Sequence, residues 1–309
     1  AAGAGALVKP SDLGVQCALR LGQAFSDAGL DDVIRILPIA EHERIAQLVT
    51  APEIGTVSFT GSTRVGLHLA AIAGGAGKAF VGELGGTNPF VLLADADLDR
   101  AIPDLVTRKI KAAGQACSAQ NIVYADASIL EEVSARVSAA LKTVSYGPAQ
   151  DGVQMGPLRT PAGVKRLSEI ESKLAAEGAT RLAGGVSPVK AGAPILVAPT
   201  AYRVAQPGEL SDVELFGPMM GICGFADIER LRARLKANRQ PLVLYVYGQD
   251  PKRVEHVVQG LRYGSIGVNS TAIQGADVPT GGFGQAGIGR EGGRWGLAEF
   301  LTTLNRREG

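Results

Sequence analysis

The sequence has few of the residues that build metal sites, disulfides or strongly charged surfaces. Its 309 residues include three cysteines, three histidines and one tryptophan, and the formal net charge is +1. Cys17, Cys117 and Cys223 are far apart and form no CxxC pair, which argues against a disulfide scaffold and fits a reducing, cytoplasmic compartment. The histidines, at positions 42, 68 and 256, have no metal-ligand spacing, so we expect no metal site.

Charge and hydropathy also narrow the class of partner. The 31 basic and 30 acidic residues are dispersed, which indicates no nucleic-acid partner. No apolar run approaches 18 residues, so we expect no membrane span. An apolar content of 46% in a chain of this length is enough for a large core and two domains. A small-molecule substrate is the partner that these features favour.

Strand and helix patterns alternate along the chain, which predicts an α/β fold with parallel sheets and crossover helices. The predicted strands are 33–37, 57–60, 78–82, 88–93, 121–124, 220–225, 242–246 and 265–268. The predicted helices are 13–29, 41–49, 64–72, 98–113, 130–144, 163–176 and 228–237.

Four finer expectations accompany this pattern. The first helix has an apolar stripe of Leu13, Cys17, Leu21 and Phe25. Cys17 and Cys223 are expected to be inert core residues. The fourth helix contains Pro103 near its first turn, where proline is tolerated. A turn is expected at Gly184-Gly185.

Two short motifs carry candidate chemistry. Glu83-Leu84-Gly85-Gly86 offers a carboxylate that can act as a base, and Gly114-Gln115-Ala116-Cys117 offers a thiol that can act as a nucleophile. Covalent catalysis at a carbonyl carbon needs this pair, since a thiolate adds to the carbon and a base then activates water. The alternatives are a small buried cysteine and a simple glycine turn after Glu83.

A third motif precedes Glu83 by about twenty residues. The segment 59–66 reads FTGSTRVG, in which an apolar strand meets a Gly61-Ser62-Thr63 turn and then a helical pattern. Backbone N–H groups at a helix N-terminus suit a pyrophosphate, and the two hydroxyls add donors. An ordinary helix N-cap is the alternative interpretation.

The order of these motifs, followed by Glu214-Leu215-Phe216-Gly217-Pro218 and 289–292 (GREG), resembles the aldehyde dehydrogenase superfamily. The resemblance runs from Lys9 to about Leu304 and looks closest to the succinate-semialdehyde dehydrogenase group. It implies a partial parallel-sheet NAD(P)-binding domain at 1–85 and an α/β catalytic domain at 86–285. Residues 286–309 would return to the cofactor domain and form an oligomerisation strand, which implies a homo-oligomer.

Members of this superfamily carry well over a hundred residues before the segment that matches Lys9. We therefore expect either a fragment of a longer enzyme or the product of a truncated gene. In relatives, the oxyanion hole uses an Asn side chain from that preceding segment, so the backbone N–H of Cys117 is the donor expected here.

The resemblance assigns roles to four residues of this sequence. Cys117 would be the nucleophile that attacks an aldehyde, and Glu83 would activate the water that hydrolyses the thioester. Glu214 would hold the nicotinamide ribose, and Phe216 would pack beside the nicotinamide. Gly61 and Ser62 would contact the cofactor.

Two further residues bear on the choice of cofactor. Lys9 matches the lysine near the adenosine ribose, and Asp12 occupies a position where an acidic residue can bind that ribose. A carboxylate there would repel a 2′-phosphate, which favours NAD, with NADP as the alternative. Asp12 could also be the N-cap of the first helix.

The expected substrate is an aldehyde, for which an anionic semialdehyde is one candidate. Lys111 stands where succinate-semialdehyde enzymes have a carboxylate-binding Arg, and Gln274 stands where they have a serine. Thr280 replaces an aromatic residue of the aldehyde pocket. The open alternatives are a thiol hydrolase, which needs a His beside Cys117, a truncated non-catalytic homologue acting as a subunit or binding module, and an enzyme that forms acyl-CoA.

Overall fold

The computed structural model describes residues 2–187 and 192–308, in which strands and helices alternate. The strands, in chain order, are β1 (Ala6–Val8), β2 (Ile34–Ile36), β3 (Thr56–Thr60), β4 (Ala79–Glu83), β5 (Asn88–Leu92), β6 (Gln120–Asp126), β7 (Thr180–Gly185), β8 (Ala198–Val204), β9 (Met219–Phe225), β10 (Val243–Tyr247), β11 (Ser265–Val268) and β12 (Gly287–Ile288). The α-helices are α1 (Val15–Asp27), α2 (His42–Thr50), α3 (Thr63–Gly75), α4 (Leu98–Ile110), α5 (Leu130–Lys142), α6 (Pro161–Ala176), α7 (Ile228–Lys236), α8 (Pro251–Val258) and α9 (Gly293–Ala298). No helix in the described ranges is both long and apolar enough to cross a membrane.

The chain divides into two compact units. The first unit contains the residues up to Glu83, the segment Gly275–Pro279 and the residues from Ile288 onward. The second unit contains Leu84–Gln274 and Thr280–Gly287. The predicted domain limits at 85 and 285 fall close to these boundaries, but the segment 275–279 belongs to the first unit. What each domain does stays a prediction.

The first unit is built from parallel strand pairs. β1 pairs with β2, and β3 pairs with β4 in the register Thr60 opposite Glu83. Helix α1 packs on β2 through Gly22, where a Cβ would lie 2.7 Å from the Ile36 side chain. Half-buried and exposed residues alternate along most of β3, which fits a strand with one face packed in a small sheet.

The packing of α1 corrects one prediction. The helix forms where its apolar period predicts it, but Leu13 and Leu21 of its stripe are 58% and 54% exposed. Cys17 is exposed as well, so the expectation that it lies in the core is wrong. The physical reason is that the close approach at Gly22 turns a different face of α1 toward β2. Cys223, in contrast, is buried in β9 as expected.

The second unit contains a seven-stranded sheet in the order β11-β10-β5-β6-β9-β8-β7. All neighbours pair in parallel except β7, which is antiparallel to β8. Every residue of β5 and of β10 is buried, as expected for central strands covered on both faces. Phe90 of β5 stacks on Tyr247 of β10, with 4.8 Å between the ring centroids. The predicted α/β class with parallel sheets is confirmed.

The interior strand β5 has an irregular start. Asn88 lies opposite Gln120, but the next residue, Pro89, lies opposite Ile122, so the register shifts by one residue. Proline has no N–H to give to a ladder, and within sheets it is found at irregular positions of this kind. The backbone of β5 therefore lacks a donor where the strand begins.

Two other local predictions are wrong. Gly184 and Gly185 end β7 at a register shift rather than forming a free turn, since their positive φ angles, +67° and +132°, allow the strand to bulge. Pro103 is the sixth residue of α4, beyond its first turn. Between residues 299 and 308 the chain forms no strand. An oligomerisation strand there would pair with a second chain, so it stays a prediction.

Candidate active site

Cys117 lies in a tight turn of the second unit and is exposed. The N–H of Ala119 donates to the carbonyl of Ala116 at 3.0 Å, which closes a β-turn with Cys117 and Ser118 at its centre. The amide of Asn88 donates to the carbonyls of Cys117 and Ala119, at 2.6 and 2.8 Å. The buried Asn88 side chain thus holds the turn by hydrogen bonds on its interior side.

The carbonyls of Ser118 and Gln120 in the same loop also accept hydrogen bonds from buried side chains. The hydroxyl of Tyr245 donates to the carbonyl of Ser118 at 3.0 Å, and Nζ of Lys109 donates to the carbonyl of Gln120 at 2.7 Å. Arg108 donates to the Ser118 hydroxyl. Buried side-chain donors from α4, β5 and β10 therefore donate to the carbonyl oxygens of four consecutive residues. These hydrogen bonds fix the backbone of the cysteine loop.

The segment before the cysteine turn is strained. Helix α4 ends at Ile110, earlier than the predicted end at 113, and Lys111 turns the chain out of the helix. Ala112, Ala113 and Gly114 then have positive φ angles of 51°, 54° and 70°. Gly114 is required here, since a Cβ would lie 2.2 Å from the carbonyl oxygen of Gly217. A left-handed conformation costs an alanine roughly 1 kcal/mol.

Glu214, the proposed ribose ligand, is a largely buried carboxylate of the second unit. Its Oε1 has no hydrogen-bond partner within residues 2–187 and 192–308. Burial raises the pKa of Glu214 to about 7, against the opposing charges of Arg166 and Lys109. Gly85 makes room for this carboxylate, because a Cβ at Gly85 would lie 2.2 Å from Oε2. The glycine after Glu83-Leu84 therefore has a packing role that the motif alone did not show.

Lys109 of α4 is a buried cation whose charge acts on the Glu214 carboxylate. It is 1% exposed, and burial lowers the pKa of its ammonium group to about 7, while the charge of Glu214 opposes that shift. A lysine at this depth is retained only with a partner. Its Nζ donates to the Gln120 carbonyl, and the negative charge of Glu214 favours its protonated form.

Glu83, the proposed base, is the last residue of β4 in the first unit. It is 6% exposed, and its Oε1 finds no partner in the described part of the chain. Burial is the main cause that raises the pKa of Glu83 to about 7, with the charge of Glu291 adding to it and that of Arg290 opposing it. Its backbone carbonyl accepts the N–H of Gly61 at 3.0 Å. Two predicted site residues, Gly61 and Glu83, are thereby brought together.

The turn at Gly61-Ser62 leads into α3, as predicted. A Cβ at Gly61 would lie 2.6 Å from the Phe59 ring, so only glycine fits without a shift of that ring. Ser62 is the N-cap of α3, but its side chain makes no capping hydrogen bond among the described residues. A helix of 13 residues thus begins at a turn whose N–H groups suit an anion.

Lys9 and Asp12 also lie together in the first unit, with Nζ 3.4 Å from Oδ1. Asp12 is the first residue of a short 3₁₀ turn, and Ser11 is the N-cap, since its side chain accepts from the N–H of Leu13. The alternative in which Asp12 caps the helix is therefore wrong. The carboxylate, which is largely exposed, remains available to a ribose.

The remaining predicted residues belong to the second unit. Phe216 is 44% exposed and has a φ of 47°, a strained value for a phenylalanine that marks a fixed loop. Lys111 and Gln274 are exposed, and Thr280 is half-buried. Within the described ranges, no three His, Cys, Asp or Glu side chains come close enough to hold a metal ion.

The sequence-based predictions missed the residues that fasten the cysteine loop. Asn88 carried one signal, because it is a polar residue at the head of an otherwise apolar run, NPFVLL. Such a residue is buried only with partners for its polar atoms. Lys109 and Tyr245 carried no signal, since a lysine on a helix and a tyrosine in a strand are ordinary.

Comparison with known proteins places the chain among enzymes of one family. The model of the aldehyde dehydrogenase family matches residues 1–305. A probable succinate-semialdehyde dehydrogenase (NADP(+)) from Sinorhizobium fredii is 32% identical over 308 residues, which cover 97% of this chain and 62% of the relative. A betaine aldehyde dehydrogenase from Brucella melitensis is 32% identical over 298 residues, 95% of this chain and 61% of the relative.

Solved structures agree with the sequence comparison. The crystal structure of an NAD-dependent aldehyde dehydrogenase from Sinorhizobium meliloti matches with a TM-score of 0.90 at 26% identity, covering 96% of this chain and 59% of that one. The chain spans about three fifths of the length of the relatives it matches. The resemblance drawn from the motifs is confirmed, and the chain belongs to the aldehyde dehydrogenase family.

Proposed function

We propose that this chain carries the chemistry of NAD(P)-dependent oxidation of an aldehyde to a carboxylic acid. The Cys117 thiolate adds to the carbonyl carbon, a hydride leaves that carbon, and Glu83 takes a proton from the water that hydrolyses the thioester. The observation that carries the proposal is Glu83, a 6% exposed carboxylate whose pKa is raised to about 7. A general base works best with a pKa near the working pH.

A nicotinamide cofactor, when bound, accepts the hydride, and the residues present fit such a cofactor. Glu214 presents a buried carboxylate oxygen that has no partner among the described residues, which suits a ribose hydroxyl. In the first unit, the Gly61-Ser62 turn at the N-terminus of α3 suits the pyrophosphate. Asp12 favours NAD over NADP, since its charge opposes a 2′-phosphate. Phe216 would then lie beside the nicotinamide.

For the substrate, we propose an anionic semialdehyde. The named substrates of the two relatives differ in charge, since succinate semialdehyde is an anion and betaine aldehyde a cation. Two cations of this chain, Lys111 and Arg108, lie close before Cys117 in the sequence and favour the anion. Gln274 and Thr280 would contribute to the same pocket.

We also propose a cytoplasmic homo-oligomer. The support is the apolar stretch after α9, where Phe300, Leu301 and Leu304 are 41%, 55% and 84% exposed. Exposed apolar residues in a cluster are typical of association surfaces. Light scattering on the purified chain gives its mass in solution, and a monomer at every concentration would contradict this part of the proposal.

The test is reduced-cofactor formation with succinate semialdehyde, betaine aldehyde and an uncharged aldehyde, each with NAD and with NADP. Turnover that is lost at least a thousandfold in Cys117→Ser, and retained in Cys17→Ser, supports the proposal, because Cys17 is an exposed thiol of the other unit. Glu83→Gln should give one turnover per chain and then stall. Full activity in Cys117→Ser refutes the assignment.

Two other outcomes have defined meanings. Turnover that depends on coenzyme A identifies an acyl-CoA-forming enzyme, in which the thiol of that coenzyme replaces the water that Glu83 activates. A folded chain without turnover, whichever aldehyde is offered, means either that this polypeptide is an incomplete enzyme, whose function lies in a longer chain or a partner, or that it is a non-catalytic homologue acting as a subunit or binding module.

A further inference from the structure

Asn88 lies at the start of the interior strand β5, where the proline at position 89 leaves the backbone without a donor. The register of β5 against β6 shifts between Asn88 and Pro89, and the proline has no N–H. Asn88 itself is 0% exposed. A buried amide side chain next to a gap in the ladder is well placed to supply hydrogen bonds that the backbone cannot.

The amide of Asn88 makes hydrogen bonds to backbone groups of the cysteine loop and of β10. Its Nδ2 donates to the carbonyls of Cys117 and Ala119, at 2.6 and 2.8 Å. Its Oδ1 accepts the N–H of Val243, the first residue of β10, at 3.0 Å. Two acceptors and one donor among these partners also fix which end of the amide is the oxygen.

The surroundings leave this amide a single orientation. A Cβ at Gly86 would lie 2.8 Å from Oδ1 of Asn88 and 2.5 Å from Cβ of Leu242. Glycine at 86 therefore lets the amide and β10 approach the start of β5. Rotation of the amide by 180° would place Nδ2 against the N–H of Val243 and Oδ1 against the two carbonyl oxygens of the cysteine loop, so these hydrogen bonds would be lost.

We propose that Asn88 is a positioning residue for Cys117, which rests on the proposed function of that cysteine. A peptide unit is planar and trans, so its C=O and N–H point in opposite directions. By drawing the Cys117 carbonyl into the interior, Asn88 turns the N–H of Ser118 toward the side on which Cys117 is exposed. An N–H dipole on that side stabilises negative charge on a thiolate.

Other charged groups around the turn are left in place when only Asn88 changes. Arg108 of α4 donates to the Ser118 hydroxyl, and Lys109 of the same helix donates to the Gln120 carbonyl. Tyr245 of β10 donates to the Ser118 carbonyl. A change in Cys117 reactivity on replacing Asn88 thus reports on the peptide that Asn88 holds.

The experiment is alkylation of the intact chain with iodoacetamide from pH 6 to 10, followed by peptide mass spectrometry. Cys17 in the first unit is exposed and serves as a reference thiol in the same molecule. In Asn88→Ala, we expect alkylation of Cys117 at pH 7 to slow about tenfold, the equivalent of one hydrogen bond, and the midpoint of its pH profile to rise. The rate at Cys17 should not change.

Asn269→Ala is the matched control. Asn269 also makes two amide hydrogen bonds in the second unit, both to Gly248, at 2.8 and 3.0 Å. Its φ of 48° makes an alanine there costly as well, so this variant tests general loosening of the unit. We expect it to keep the wild-type rate and midpoint at Cys117.

The proposal is overturned if Asn88→Ala keeps the wild-type pH profile at Cys117, or if Asn269→Ala changes it equally. Should Asn88→Ala fail to fold, Asn88→Leu, which keeps the branched shape of the side chain and removes only the amide, must move the Cys117 midpoint in the same direction. Alkylation needs neither an aldehyde nor a cofactor. Failure of the proposed dehydrogenase activity can therefore be distinguished from failure of the proposed role of Asn88.

Discussion

The carboxylate of Glu214 fills the space that a side chain on Gly85 would need. A Cβ at position 85 would lie 2.2 Å from Oε2 and 2.9 Å from Cδ of Glu214. Two residues that are 129 positions apart in sequence therefore form one element of the proposed cofactor site. The glycine sets where the carboxylate lies, and the carboxylate explains why the glycine is needed.

Gly85→Ala should displace Glu214 and weaken cofactor binding about tenfold, since hydrogen bonds to a charged group contribute roughly 1.5–3 kcal/mol. Calorimetric titration with NAD measures the change. The matched control is Gly156→Ala in the same unit, where an added Cβ meets nothing within 4 Å and no positive φ is required. Equal affinities in the two variants would show that Glu214 does not hold the cofactor.

Replacing the acidic group at Glu83 should change how stability depends on pH. The pKa is raised from 4.5 to about 7 in the folded chain, so the folded chain keeps a proton that the unfolded chain releases. The resulting stabilisation is full below pH 4.5 and is lost as pH rises through about 7. At pH 8, Glu83→Gln should be more stable than wild type by on the order of 2–3 kcal/mol.

Urea unfolding between pH 5 and 8.5 checks this, with exposed Glu53→Gln of the same unit as the control. The slope of stability against pH should flatten in Glu83→Gln but not vanish, because the pKa of Glu214 is raised in the same direction. A Glu83→Gln curve parallel to that of wild type would contradict the raised pKa.

Ala112→Gly should stabilise the chain by about 0.5–1 kcal/mol, because Ala112 has a left-handed φ of 51° and is exposed. The same change at Ala135, an exposed position in the middle of α5, should destabilise by a similar amount. Thermal unfolding of the two variants shows whether each change raises or lowers the free energy of unfolding. If both variants lose stability, the left-handed turn before the cysteine loop is not strained.

Asp12→Asn should shift the preference from NAD toward NADP by about tenfold in the ratio of dissociation constants. The change removes a negative charge that opposes a 2′-phosphate and releases Lys9, whose Nζ lies 3.4 Å from the carboxylate. The same change at exposed Asp32 of the first unit is the control for net charge. An unchanged ratio of dissociation constants in Asp12→Asn would show that Asp12 does not bind the adenosine ribose.

The alternation of apolar patterns was enough to predict most strands and helices, because each has a clear period. The elements it missed have weak patterns. Strand β8 (Ala198–Val204) contains a proline, and α8 (Pro251–Val258) is short and charged. The end of α4 was predicted too late, because alanine favours a helix and the local sequence gives no sign that Ala112 and Ala113 lie outside it.

The candidate site divides in a similar way. Motifs placed Cys117 and Glu83, since their chemistry is local to a few residues. The groups that hold Cys117 are tertiary, with Asn88 29 positions away and Tyr245 127 positions away from the carbonyls they reach. A raised pKa at Glu83 depends on burial, which no local pattern specifies.

Four residues, 84–87, connect β4 to β5, and three positions between 83 and 88 meet a specific packing or hydrogen-bonding requirement. Glu83 ends one strand with its carboxylate buried, Gly85 receives Glu214, and Asn88 begins the next strand with its amide on the cysteine turn. A slip of β5 by one residue in its register would turn Asn88 to the opposite face of the sheet, because side chains alternate along a strand. We therefore expect an insertion or deletion that causes such a slip to slow alkylation of Cys117 more than a substitution at an exposed position of the same unit.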